Sequence, residues 1–342
     1  MDGEKAAVRV RRREFLTAVG GGMIFQPRRA AAQIRPIDTV TGRVPSDRLG
    51  VTLVHEHVLV DFVGAAEVNP RRYERSAAFR KALPFLKQIH AHGCRTLVEC
   101  TPAYLGRDPR LLQQLSEATG LTLLTNTGYY GAANDKFVPA HAWKESAEQL
   151  ASRWIAEARN GIEDTGIKPA FMKIGVDPGP LSDIDSRLVV AAARTHLVVG
   201  LPVWSHTGDG AAALAQVALL KREGMPLGAF VWVHAQNERD PAVHRRVAED
   251  GAWISFDGLA ADNIDRYLAL VTGMRAAGHL DRVLISHDAG WYHVGEPDGG
   301  TYRPHDTLFT TFIPRLRASG FTETDIQRLT IENPRRALTP DP

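Results

Sequence analysis

Two histidines stand in a segment whose other residues are typical of a buried strand. The stretch GVTLVHEHVLVDF, residues 50–62, is rich in Val and Leu and contains His55 and His57. Side chains alternate across a strand, so these two histidines face one side and Glu56 faces the other. Two interpretations fit this segment taken alone: a pair of hydrogen-bonded core histidines, or two ligands of a metal ion.

Further polar side chains stand where other apolar segments end. LPVWSH ends on His206, AFVWVH ends on His234, and RVLISHD ends on His287 and Asp288. His287 alternates with Asp288 and is therefore expected to face away from it. Imidazole and carboxylate groups are common ligands of zinc and of other divalent transition metals. The strand ends therefore supply candidate metal ligands.

Lys173 is a cation in the middle of the apolar segment AFMKIGV. Lysine is almost never buried without a partner, so one interpretation is a lysine paired with a carboxylate elsewhere in the chain. The other is that burial favours the neutral amine, which can take up carbon dioxide. The resulting carbamate is an anion and, unlike an ammonium group, can bridge two divalent metals.

The elements that must position these residues alternate regularly along the chain. Amphipathic, helix-like segments, several of which end at a glycine, separate eight strand-like segments: VTLVHEHV, TLVEC, LTLLTNT, AFMKIGV, LPVWSH, AFVWVH, AWISF and RVLISHD. This repeat predicts an α/β fold of the TIM (β/α)8 barrel type, in which the carboxyl ends of all strands meet at one face. An open doubly wound sheet is the alternative, but it would normally bring a glycine-rich phosphate turn, and GYYGAAND is not one.

Charge and cysteine content exclude some functions. The chain of 342 residues has a net charge of +2 at pH 7, and residues 1–32 alone hold seven basic and three acidic residues. Because the remainder is slightly acidic, we expect neither a nucleic-acid partner nor an anionic membrane surface. Cys94 and Cys100 are separated by roughly 20 Å of extended chain, which predicts two free, buried thiols.

The first 32 residues resemble a twin-arginine export signal. Arg12 and Arg13 precede a short glycine-rich apolar segment, and RRAAAQ offers an Ala-x-Ala cleavage site that ends at Ala32. The apolar segment is too short to span a bilayer. The sequence thus predicts a signal peptide at 1–32, one barrel domain at 33–342, and a periplasmic mature protein without a membrane span. A disordered basic tail is the alternative.

Six of the candidate residues resemble the binuclear metal set of the phosphotriesterase family, within the amidohydrolase superfamily. They match that set in order and strand placement, and the resemblance runs from about Arg43 to the C-terminal TTFIPRLRASGFTETDIQRLTIENPRRAL. It implies two divalent metals per chain, with zinc favoured and cobalt, iron or manganese as alternatives. One metal would be held by His55, His57 and Asp288, and the other by His206 and His234, with N6-carboxylated Lys173 and a hydroxide between them.

The resemblance also implies a reaction. Two cations lower the pKa of a bridging water, so that hydroxide is available near neutral pH to attack a small-molecule ester, lactone or phosphotriester. Asp288 would accept the proton, and Lys173 and His234 complete the expected catalytic set. Dimers are common in the family, which makes a homodimer a candidate assembly.

The loops that follow the strands are expected to select the substrate. SFDGLAADN places Gly258 after Asp257, where the lactone-hydrolysing branch has an arginine, and HAQNERD lacks the acidic pair of bacterial phosphotriesterases. The favoured function is hydrolysis of a lactone or carboxylic ester, with incidental phosphotriester hydrolysis. A true organophosphate hydrolase (aryldialkylphosphatase) and a non-catalytic binding barrel are the alternatives. The candidate pocket residues are Tyr129, Tyr130, Asp257, Trp291, Tyr292 and His293, although loop aromatic rings also pack without contacting a ligand.

Overall fold

The structure is a computed structural model that describes Met1 and residues 34–340. The predicted export signal at residues 1–32 therefore lies, apart from Met1, outside the described residues. Residues 34–340 belong to one compact unit. Within this range no helix combines the length and the apolar composition needed to cross a bilayer.

A ring of parallel strands forms the centre of the fold. The strands of residues 34–340 are, in chain order, β1 Pro36–Thr39, β2 Gly42–Pro45, β3 Thr52–Val60, β4 Thr96–Glu99, β5 Thr122–Leu124, β6 Asn126–Thr127, β7 Phe171–Val176, β8 Val203–Thr207, β9 Phe230–Val233, β10 Trp253–Phe256, β11 Val283–Ile285 and β12 Gly290–His293. β1 and β2 form an antiparallel hairpin outside the ring. The ring pairs in the orders β12-β3-β4-β5 and β6-β7-β8-β9-β10-β11.

The ten strand segments of the ring form eight barrel strands, because two of the barrel strands are interrupted. β5 and β6 are the two halves of the third barrel strand, and β11 and β12 are the two halves of the eighth. The amide of Asp288, between β11 and β12, donates to the carbonyl of His55 on β3 (3.0 Å), which links the last strand to the first. The TIM barrel predicted from the sequence is confirmed.

The helices pack around the ring. They are α1 Arg75–Ala91, α2 Pro109–Thr119, α3 Ala147–Asn160, α4 Asp183–Val199, α5 Gly210–Arg222, α6 Pro241–Glu249, α7 Ile264–Ala276, α8 Ile313–Ala318, α9 Glu323–Gln327 and α10 Asn333–Leu338. Local sequence sets their ends: the Ser182 side chain caps α4 by accepting from the Asp185 amide, and Gly200 ends that helix with a φ of 76°.

Alternate residues of the barrel strands divide between the interior and the helix layer. On β7, Phe171 packs inside the ring, where its side chain contacts Trp204 of β8 with 5.2 Å between ring centroids. Met172 and Ile174 pack on the other side with the helices. Burial of each large apolar side chain stabilises the fold by roughly 1.5–3 kcal/mol. The lower half of the barrel is thus a packed core, and the polar residues stand above it.

A β-bulge in β3 turns the histidine pair inward. Leu53 pairs with Leu97 of β4 and Glu56 pairs with Glu99, so β3 has one more residue than β4 between these pairs. Leu53 packs with the helix layer, and strict alternation from it would turn His55 outward as well. The additional residue reverses the alternation, as bulges near active sites often do. His55 and His57 therefore face the interior together.

Candidate metal centre

The six predicted ligands lie around one cavity at the carboxyl ends of the barrel strands. The cavity has a volume of about 80 Å³, and its wall includes His55, His57, Lys173, His206, His234 and Asp288. The rest of the wall is largely apolar and contains Val60, Phe62, Pro102 and Leu105. The structure thus brings together all six residues that the family resemblance implied, although they are spread over more than 230 positions of the chain.

Three of these residues are spaced as ligands of a single ion. His57 Nε2 lies 3.0 Å from Asp288 Oδ1 and 3.2 Å from His55 Nε2, and the third side of this triangle, from His55 Nε2 to Asp288 Oδ1, is 3.6 Å. Ligand atoms about 2 Å from a tetrahedral ion lie roughly 3.3 Å from one another. The donor atoms of His55, His57 and Asp288 therefore fit one divalent transition metal.

The remaining three candidate ligands adjoin this triangle. The Nζ atom of Lys173 lies 3.4 Å from His55 Nε2, and the rings of His206 and His234 are 4.3 Å apart between centroids. The His234 ring is also 5.1 Å from the His55 ring. Lys173 is buried, and within residues 34–340 no ion pair joins it to a carboxylate. The described residues thus give no support to the interpretation of Lys173 as a partner of a carboxylate.

Asp257 forms hydrogen bonds with two of the histidines on the side of their rings away from the cavity. It accepts from Nδ1 of His55 at 3.0 Å, and from Nδ1 and the backbone amide of His234 at 2.7 Å and 3.0 Å. In a neutral ring that donates from Nδ1, Nε2 carries no proton and can bind a metal. The prediction that Asp257 lines the substrate pocket is wrong: its side chain is fully buried, because it points from β10 into the ring, beneath the histidines.

A chain of two hydrogen bonds orients His57, and the sequence did not predict it. Nδ1 of His57 donates to the Thr101 hydroxyl at 2.8 Å, and that hydroxyl donates to Glu99 at 2.5 Å. Glu99 is fully buried, which raises its pKa. The signal in the sequence was an acidic residue near the end of the apolar segment TLVEC. Acceptors behind metal-binding histidines are a general feature of metal sites.

The electrostatic environment favours the metal-binding forms of His55 and Asp288. Burial, together with the nearby positive charge of Lys173, lowers the pKa of His55 to about 4, so its imidazole is neutral at pH 7. Burial opposes ionisation of Asp288, but the neighbouring histidines outweigh it and hold the pKa of this carboxyl well below its ordinary value. A neutral imidazole and an ionised carboxylate are the protonation states that bind metal.

Three residues of the cavity wall have strained backbone conformations. His234, Asp288 and Trp291 have φ values of 65°, 52° and 77°, in the left-handed region that non-glycine residues seldom adopt. Such conformations persist where surrounding contacts hold them, and they recur at functional sites. At His234 the contact that holds the bend is the hydrogen bond from its amide to Asp257.

The structure places only two of the predicted pocket aromatics in the cavity wall. Tyr130 and Trp291 line the cavity, where their rings lie 5.0 Å from the His206 ring and 5.4 Å from the His57 ring. Tyr129 instead packs against Trp154, 5.4 Å between centroids. It lies in the wall of a neighbouring cavity. Adjacent residues of an extended chain point in opposite directions, so only one tyrosine of the pair can face the site.

The same alternation separates the aromatic residues that follow the eighth barrel strand. Tyr292 packs with the helix layer, so its placement as a pocket residue is wrong. His293 is not in the cavity wall but lies beside it, with its ring 5.7 Å from those of both Phe62 and Trp291. Phe62, which sequence reasoning did not single out, is 40% exposed and belongs to the wall.

Two smaller predictions are confirmed. His287 faces away from the cavity and donates from Nδ1 to Glu56 at 2.7 Å. Cys94 and Cys100 are free and buried, and burial raises the pKa of the Cys94 thiol to about 12.

Comparison with known proteins agrees with this fold. The model of the phosphotriesterase family matches residues 35–338. The phosphotriesterase homology protein of Escherichia coli K12 is 29% identical over 84% of this chain and 97% of its own. The aryldialkylphosphatase of Saccharolobus solfataricus is 27% identical over 86% of this chain and 96% of its own. A solved structure, described as organophosphate hydrolysis activity engineered from a weak promiscuous lactonase template, has a TM-score of 0.79 and 29% identity, and the match covers 89% of this chain and all of that one.

Fold and site together define a TIM-barrel hydrolase whose candidate metal ligands stand at the carboxyl ends of the strands. The chain belongs to the phosphotriesterase family, as its resemblance predicted.

Proposed function

We propose that this protein is a binuclear metal-dependent hydrolase of ester-like bonds, and that its substrate is a lactone or a carboxylic ester. The proposal rests on the placement of both nitrogen atoms in the rings of His55 and His57. The Nε2 atoms of His55 and His57 converge with Asp288, while the Nδ1 atoms of both rings are occupied by hydrogen bonds. Core histidines that served packing alone would not need Nε2 atoms that converge on a carboxylate.

The residues present fit two divalent ions, with zinc favoured and cobalt, iron or manganese as alternatives. His55, His57 and Asp288 would hold one ion and His206 and His234 the other, with Lys173 as an N6-carboxylated bridge. When bound, the two ions would supply hydroxide near neutral pH and polarise the carbonyl or phosphoryl oxygen of the substrate.

The side chains of the chain itself perform the remaining tasks. Asp288, ionised and partly open to the cavity, is placed to accept a proton from the nucleophile. Asp257 keeps the rings of His55 and His234 in one orientation. Tyr130, Trp291 and Phe62 form an apolar wall that would bind the organic part of the substrate and reduce its contact with water.

The apolar wall supports an ester or lactone without strong charge as the substrate. The lactonase origin of one structural relative supports it too. Phosphotriester hydrolysis would be incidental, because the same site can stabilise an oxyanion on carbon or on phosphorus. A true organophosphate hydrolase is the second candidate, favoured by the similarity to the aryldialkylphosphatase. A non-catalytic binding barrel is the least economical alternative, since a binder has no need of six converging ligands.

A metal analysis combined with a hydrolysis panel tests the proposal. Wild-type protein loaded with zinc, cobalt or manganese should contain two equivalents of metal and hydrolyse lactones or aryl esters faster than phosphotriesters. His55→Ala should lose metal and activity and still fold. His196→Ala is the matched control, because His196 is also buried but lies on α4, where Nδ1 of its ring bonds to the Leu201 carbonyl.

The outcomes separate the candidates. Faster turnover of phosphotriesters than of every ester and lactone would favour the organophosphate hydrolase. Wild-type protein that binds no metal, or that binds metal without hydrolysing any member of the panel, would refute the proposal. We further propose that the mature protein is periplasmic and forms a homodimer, the latter checked by its mass in solution.

A further inference from the structure

A buried carboxylate behind the candidate metal centre binds the backbone that carries Asp288. Glu56 is fully buried on the outward side of β3. Five donors converge on its two oxygen atoms: the Ser286 hydroxyl at 2.7 Å, the His287 amide at 3.0 Å, His287 Nδ1 at 2.7 Å, the Ala289 amide at 3.0 Å and His305 Nδ1 at 3.0 Å. All five come from the eighth barrel strand or from the loop that follows it.

These hydrogen bonds fix the backbone on both sides of Asp288. The amides that Glu56 accepts belong to the residues directly before and after Asp288, and the Asp288 amide itself donates to the His55 carbonyl at 3.0 Å. Three consecutive amides are therefore fixed to two consecutive residues of β3. This fixation explains how Asp288 keeps a φ of 52°, a conformation that a non-glycine residue would leave if it were free to do so.

The donors of Glu56 are themselves held in place. The Leu308 amide donates to Nε2 of His287 at 2.9 Å, so His287 carries its proton on Nδ1 and directs it to Glu56. At Gly290 an added Cβ would lie 1.9 Å from the His57 carbonyl oxygen and 2.7 Å from the His305 ring. The backbone next to Asp288 thus has no room to move toward β3 or toward His305.

We propose that Glu56 is the positioning residue of Asp288, and that it holds the Asp288 carboxylate in the orientation in which it meets His55 and His57. The inference rests on the proposed function only in treating Asp288 as a metal ligand and proton acceptor. β3 then fixes three ligands: it carries His55 and His57 on its inward face and holds Asp288 through the outward-facing Glu56. A residue that only satisfied its own burial would not need to bond to both neighbours of a ligand.

Two variants and one control test the role. Glu56→Gln keeps the shape of the side chain but leaves one arm that cannot accept hydrogen bonds. His305→Phe removes one of the five donors. Asn333→Ala is the control, because Asn333 is also fully buried and donates to Leu280 and Val283 at the opposite end of β11.

The first measurement is amide hydrogen exchange on the full-length protein as purified. We expect amides 287–289 to exchange about tenfold faster or more in Glu56→Gln, and to a smaller degree in His305→Phe. In the wild type, local opening of this backbone must first break the hydrogen bonds to the Glu56 carboxylate, and the variants weaken that requirement. Asn333→Ala should lower the thermal midpoint and leave these amides at the wild-type rate. Because exchange is measured without reference to metal or turnover, its result decides the inference even if the proposed function fails.

The second measurement is zinc affinity by competition with a chromophoric chelator. In Glu56→Gln one of two equivalents should bind about 10- to 100-fold more weakly, as is typical when a group behind a ligand is removed. kcat should fall with KM within about twofold, since Glu56 does not face the apolar wall. Wild-type exchange in Glu56→Gln, or equal acceleration in Asn333→Ala, would overturn the role. If Glu56→Gln does not fold, wild-type exchange and zinc affinity in His305→Phe would overturn it.

Discussion

The carboxylate of Asp257 lies 2.7 Å from Nδ1 of His234, and both side chains are buried. Its other oxygen accepts from His55 at 3.0 Å. His55 and His234 belong to different predicted metal sites, so a single carboxylate orients one ligand of each. Burial opposes its charge, but the two histidines outweigh burial and hold the pKa of Asp257 well below its ordinary value.

Replacing Asp257 with Asn should weaken one of the two predicted metal sites. An amide has one accepting oxygen and a nitrogen that only donates, so one of the two histidines would lose its acceptor. We expect metal affinity to fall about 10- to 100-fold, measured by chelator competition. Glu157→Gln, which weakens an ion pair with Arg107 away from the cavity, should keep wild-type affinity. Unchanged affinity in Asp257→Asn would show that the orienting bonds do not matter.

Lys173 is predicted to work as a carbamate. Two neighbouring cations repel one another, and a bridging anion offsets the repulsion that an ammonium group would increase. Lys173→Ala should lose most activity, and acetate or propionate in the buffer should restore part of it by occupying the vacated space. Lys173→Arg should not be rescued, because arginine stays charged and fills that space. An unmodified lysine in metal-loaded, active enzyme, seen by mild mass spectrometry, would contradict the carbamate.

Gly128 is predicted to be essential for placing Lys173. Its φ is 113°, and an added Cβ would lie 2.4 Å from the Lys173 carbonyl oxygen. Gly200 is the matched control, with a φ of 76° and open space around its Cα. Gly200→Ala should lower the free energy of unfolding by about 1 kcal/mol. Gly128→Ala should cost a further 1–3 kcal/mol or so, because β7 must shift, and should also reduce kcat. Equal losses in urea unfolding would contradict this expectation.

Asp185 should make stability depend on pH. Burial, with a contribution from Asp135, raises its pKa from 3.8 to about 6. Because the folded-state pKa lies above the unfolded one, the stabilising contribution is complete below about pH 4 and is lost as pH rises through 6. Asp185→Asn should therefore be more stable than wild type by about 1–2 kcal/mol at pH 8 and no more stable at pH 4. The exposed Asp183→Asn should show no such gain, and a flat difference between pH 4 and pH 8 would refute the assignment.

The export prediction depends on Arg12 and Arg13. If the twin-arginine system recognises the pair, changing both to Lys should keep the precursor in the cytoplasm. Cell fractionation with an antibody against the barrel would measure this, with Arg28 and Arg29 changed to Lys as the control pair. Mature protein outside the cytoplasm in the Arg12/Arg13 variant would show that another route, or none, is used.

The sequence by itself determined the barrel and the face of it at which the candidate ligands lie. Both rest on local patterns: alternating strand and helix segments define the repeat, and a polar residue at a strand end must stand at the carboxyl face. His206, His234 and Asp288 could therefore be assigned to one face of the barrel without knowledge of any contact between strands. The prediction that His287 turns away from Asp288 followed from the two-residue period of a strand in the same manner.

The tertiary structure decided what lies behind and around those ligands. The bulge in β3 depends on how that strand pairs with β4. Asp257 bonds to His55, which is 202 residues away along the chain, and Glu56 bonds to His287, which is 231 residues away. Which tyrosine of the pair 129–130 faces the cavity depends on the twist of the loop. Such contacts are set when the ring closes and fixes the stagger of its strands, a global condition that no local spacing encodes.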